Sequence, residues 1–70
     1  MALEQWMFRI EAEFNGRPLR TDGASYVPPG WSSERVRDGV IKDLVQQFSE
    51  RTGEERVNVR LISWQADTVR

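Results

Sequence analysis

The sequence predicts a small α+β domain in which one helix packs across one face of a three-stranded, mainly antiparallel sheet. Three observations carry this: a strict two-residue alternation over residues 5–14, a helical apolar stripe between residues 33 and 51, and a second alternating, β-branched run over 56–66. Together they give the order β-β-α-β in a single domain spanning residues 1–70.

The first strand is assigned to residues 4–14. Trp6, Phe8, Ile10, Ala12 and Phe14 fall on one face, and Gln5, Met7, Arg9, Glu11 and Glu13 on the other. Asn15-Gly16 follows at once, and both central residues of a type I′ turn need positive φ, which these two residue types tolerate. The return strand, 17–27, contains Pro18, which has no N–H to donate, so it belongs at a sheet edge.

Pro28-Pro29-Gly30-Trp31 then ends the ladder as a loop over 28–31. Ser32 or Ser33 can cap the helix, with Glu34 at the positive end of its dipole. Val36, Val40, Ile41, Leu44, Val45 and Phe48 recur at the spacing of one buried stripe through 33–51, and Gly53 suits a left-handed C-cap. Trp31, just before Ser32, is placed to staple onto Val36. Arg37 falls within the apolar stripe, and stacking on Trp31 or Tyr26 would accommodate its charge.

The last strand is assigned to 56–66, followed by a frayed tail over 67–70. It could cross over to lie parallel to the second strand, or lie antiparallel beside the first. The order 2-1-3 is preferred, because it centres the most hydrophobic strand and leaves Pro18 on an edge. Within this strand the apolar alternation changes phase: Val57, Val59 and Leu61 share one face, Ile62 and Trp64 the other. Pairing Glu11 with Arg60 would set Met7 opposite Trp64 and Arg9 opposite Ile62, forming an apolar patch on the face away from the helix. Such a patch, rimmed by charge, is the signature of an interface. A bulge near Leu61-Ile62 would instead turn Trp64 inward.

The chemistry is limited by what is absent. The chain has no histidine and no cysteine, which removes the usual general base, thiolate nucleophiles and the common zinc ligands. Glu11 and Glu13 share a strand face, but one carboxylate pair falls short of the oxygens calcium needs, and ion pairing to Arg56 or Arg60 accounts for them. Asp38 and Lys42 read as a solvated i, i+4 pair. These absences argue against an enzyme and imply no cofactor and no metal.

Ten basic and eleven acidic residues leave a net charge of −1, which argues against a dedicated nucleic-acid binder. Neither a signal-peptide pattern nor an apolar run of membrane-spanning length occurs, so a cytoplasmic protein with no membrane partner is expected.

The functional expectation is therefore a non-enzymatic protein-interaction module, of the adaptor, regulator or phage-type inhibitor class. Its partner is a protein, with homodimerisation through the outer sheet face as one form, and the candidate contact residues are Met7, Arg9, Tyr26, Arg60, Ile62 and Trp64. The alternative is single-stranded nucleic acid stacking on an Arg/Trp sheet face.

Overall fold

The structure is a computed structural model that describes residues 2–69. Strand β1 (Glu4–Phe14), strand β2 (Arg17–Val27), helix α1 (Ser33–Thr52) and strand β3 (Val59–Thr68) follow one another along the chain. They form a three-stranded sheet of order β2-β1-β3, antiparallel throughout. The predicted fold class and strand order are those observed.

Strand alternation builds the core. Ile10, Ala12 and Phe14 on the helix-facing side of β1 are 0% exposed, and Val36 and Val40 of α1 are buried against this side together with Val27 of β2. Full burial of side chains such as Ile10 and Phe14 contributes about 1.5–3 kcal/mol each. Phe14 meets Phe48 edge-on at a centroid separation of 5.8 Å, closing the core at the hairpin end.

The hairpin turn has positive φ at both Asn15 (52°) and Gly16 (80°), as a type I′ turn requires. Asn15 has a second task. Its side-chain amide donates to Glu54 Oε2 and the Arg56 carbonyl, and its Oδ1 accepts from the Asn58 N–H at 2.7 Å. This clamps the α1–β3 connection onto the turn. The helix ends at Gly53, whose φ of 76° lets its N–H reach back to the Ser49 carbonyl.

At its start, α1 is capped by Ser32, whose Oγ accepts from the Arg35 N–H at 3.2 Å. Trp31 packs against the buried cluster that contains Val36, in keeping with the staple. The arginine stacked on it is Arg35, 4.2 Å from the ring centroid, and not Arg37. Arg37 turns to the neighbouring Asp38, donating through both Nε and Nη2. Position 35 reaches the ring first because it lies in the first helical turn, directly over the residue preceding the cap.

Strand β3 departs from expectation in its bounds, and of the two courses open to Trp64 it takes the one with a bulge near Leu61-Ile62. It begins at Val59 and ends at Thr68, three residues later and two residues beyond the predicted 56–66. Residues 67 and 68 are thus strand and not tail, and the Val69 N–H still donates to the Gln5 carbonyl. Its register also breaks between Glu11 and Ala12: Leu61 pairs with Ala12 and Ser63 with Glu11, leaving Ile62 as an extra residue. This bulge brings the apolar residues on either side of the phase change, Leu61 and Trp64, to one helix-facing side. Both Leu61 and Trp64 come to the side of Ala12 and Ile10.

Candidate functional site

The expected Met7–Ile62–Trp64 patch does not exist. Trp64 pairs with Ile10, stacks on Phe8 at 5.7 Å and 20°, and donates from Nε1 to Ser33 Oγ at 2.9 Å. It ties β3 to the first turn of α1. The extra residue at Ile62 is the cause, because one inserted residue moves every following side chain to the opposite face. Met7 faces Asp67, Arg9 faces Gln65, and Arg60 faces Glu13 in place of Glu11. Ile62 remains 48% exposed at the bulge, near the opposite end of the sheet from Met7.

A different apolar group forms at the Met7 end. The unbroken β1–β2 register places Gln5 opposite Tyr26 and Met7 opposite Ala24, so Met7 and Tyr26 are diagonal neighbours on the outer face. Met7 is 47% and Tyr26 62% exposed. Leu3 and Val69 flank this end and are about half exposed as well. The Gln5 amide donates to Met7 Sδ at 3.7 Å, fixing the two along the strand. Val69 went unnoticed in the sequence because the end of β3 was placed too early, and Leu3 because it lies just outside the alternating run of β1. Tyr26 beside Met7 was readable, since a two-residue turn after Phe14 fixes every later pair in the hairpin.

Next to this apolar end, the same face carries charge. Arg9, Glu11, Arg20, Asp22, Ser63 and Gln65 line a shallow open depression at the middle of the sheet. Arg20 Nη2 lies 3.4 Å from Glu11 Oε1, and Arg60 Nε lies 2.9 Å from Glu13 Oε1. Exposed pairs like these contribute about 0–1 kcal/mol each. Their larger effect is to cancel the field that Arg9, Arg20 and Arg60 would otherwise present. Asp22, opposite Arg9, has no ion-pair partner within 4.0 Å among the described residues.

The hydrogen-bonding sense of the edges follows from the turn. A two-residue hairpin begins with a hydrogen-bonded pair at Phe14 and Arg17, after which bonded and non-bonded pairs alternate. Even-numbered residues of β1 therefore bond to β2, and odd-numbered ones to β3. The Gln5 carbonyl and the Asn15 N–H, both directed to the β3 side, agree with this. The backbone groups left free on β2 belong to Pro18, Arg20, Asp22, Ala24 and Tyr26. Pro18 thus lacks a donor that the sheet does not use.

Among the described residues no helix is long and apolar enough to cross a membrane. The chain matches no known family model, no curated protein and no solved structure, so its site has to be argued from its own side chains.

Proposed function

We propose that this chain is a non-enzymatic, cytoplasmic protein-interaction module that docks a partner protein on the outer face of its sheet. The observation that carries the reading is the pair Met7 and Tyr26, large side chains about half exposed on a face that no described element covers. In so short a chain, apolar area left outside the core is conspicuous. Tyrosine and methionine are also favoured at interfaces, the first for its rigid amphipathic ring and the second for its adaptable packing. Arg9 and Arg60 would supply the polar rim, with Ile62 as a separate apolar contact. Trp64 acts from the other face, holding the strand that carries Ile62 and Arg60.

The nucleic-acid alternative is left with less support. A base would need an aromatic platform among the arginines. Trp64 lies on the opposite face, and Glu11 and Glu13 already pair Arg20 and Arg60.

Photo-crosslinking tests the reading. A benzophenone side chain placed at Tyr26, and separately at the exposed helix residue Gln46, is irradiated in lysate of the source cell. Adducts with a protein other than a second copy of this chain are expected from position 26 and not from position 46. Equal yields at both positions, or none at 26, would overturn it.

A further inference from the structure

We infer that the open edge of β2 pairs with the β2 edge of a second copy, antiparallel about a two-fold axis at Thr21, extending the sheet across a homodimer. This deepens the proposed interaction role and rests on it for the idea that the module works by association. Strand β2 is eleven residues long and keeps an unbroken register against β1. Apart from Pro18, which has no N–H to donate, this edge is long and regular, and such an edge is a template for another strand. The opposite edge differs: β3 is interrupted by the bulge at Ile62, which disturbs the row of groups an incoming strand would use.

The register follows from charge and from which backbone groups are free. The free groups sit on even-numbered residues, so only even-numbered residues can face one another as hydrogen-bonded pairs across the new edge. With the axis at Thr21, Arg20 faces Asp22 of the second copy, and Asp22 faces Arg20 of the second copy. Asp22, which has no ion partner within its own chain among the described residues, gains one. A row across the joined outer face then reads Arg9, Asp22, then Arg20 and Glu11 of the second copy, alternating in sign throughout.

The helix-facing side fits the same register. Thr21 meets Thr21 of the second copy, a favourable cross-strand pair. Half-buried Leu19 comes opposite Gly23 of the second copy. Gly23 has no side chain, and the Phe8 ring lies 3.4 Å from where its Cβ would be, so Leu19 meets an aromatic wall. Moving the axis to Asp22 would set two carboxylates face to face. Moving it to Ala24 would separate Arg20 from Asp22 and shorten the overlap towards Pro28.

Sedimentation equilibrium and a charge exchange test this. The wild type is expected to dimerise, more weakly at high salt because the ladder is exposed. Arg20→Asp and Asp22→Arg should each weaken dimerisation by at least about tenfold, since each sets like charges opposite one another twice. An equimolar mixture of the two should associate again, because the heterodimer restores an opposite-charge pair at both positions. The chain has no cysteine, so Thr21→Cys supplies an independent readout: it should form a disulfide-linked dimer faster than Ala24→Cys under mild oxidation. A monomeric wild type, a mixture that stays monomeric, or preferential cross-linking at Ala24→Cys would overturn the inference. A monomeric wild type that still captures a different protein at position 26 would leave the interaction role standing.

Discussion

The two faces of β1 share a backbone and differ in everything else. On the helix side, Ile10, Ala12 and Phe14 are fully buried and joined by the aromatic stack of Phe8 and Trp64. On the outer side Met7 stands exposed, Glu11 and Glu13 form exposed ion pairs, and Arg9 faces Asp22, which has no ion-pair partner among the described residues. The difference teaches how a short chain divides its work. One face supplies cohesion, and the other is left chemically varied, with its apolar part concentrated at Met7 and Tyr26. Substitutions on the two faces should therefore separate cleanly into losses of stability and losses of association.

The largest effect is expected inside. Phe14→Ala removes a fully buried ring and its contact with Phe48, and should cost about 3–5 kcal/mol in urea unfolding. That is a large share of what a domain of this length possesses. A loss below about 1 kcal/mol would mean that the inner face is not the source of cohesion.

Next comes the clamp at the hairpin end. Asn15→Gly keeps the positive φ but removes the bonds to Glu54, Arg56 and Asn58, and should cost about 1–2 kcal/mol. An unchanged midpoint would reduce Asn15 to a turn former.

A tryptophan pair sharpens the comparison further. Trp64→Phe keeps an aromatic ring against Phe8 but strands the Ser33 hydroxyl, and should cost about 1 kcal/mol by thermal or chemical unfolding. Trp6→Phe deletes a buried indole N–H that has no partner among the described residues, and should cost less than Trp64→Phe. The reverse order would contradict the assigned role of the Trp64–Ser33 bond.

The smallest effects on stability belong to the outer face. Met7→Ser and Tyr26→Ser should each shift unfolding by no more than about 0.5 kcal/mol, while far-ultraviolet circular dichroism stays unchanged.

Much of this division was legible in the sequence. Period-two alternation over β1, the Asn-Gly turn, Pro18 on an edge and a serine N-cap, filled by Ser32, are local signals, and each appears where local physics puts it. The misplacement of Trp64 has a different origin. Register between β1 and β3 depends on one extra residue contributed by a strand that arrives after a helix, and no turn geometry fixes it. Yet the phase change between Leu61 and Ile62 was itself the mark of the bulge. A helix-facing strand that switches face midway leaves half its apolar side chains in water, and an inserted residue is the least disruptive remedy. The exchange of Arg37 for Arg35 was hidden because stacking depends on position within the first turn more than on place in the apolar stripe. On the outer face, the candidates Met7, Arg9, Tyr26 and Arg60 are exposed, while Asp22, Leu3 and Val69 become visible only once the register is known.

The central claim is that the outer face serves association and adds little to the fold. The most direct test is the photo-crosslinking yield from position 24, adjacent to both side chains, in Met7→Ser/Tyr26→Ser compared with the parent at equal folded fraction. The account predicts a folded protein whose partner adduct is lost. A double variant that still yields the adduct undiminished would contradict it.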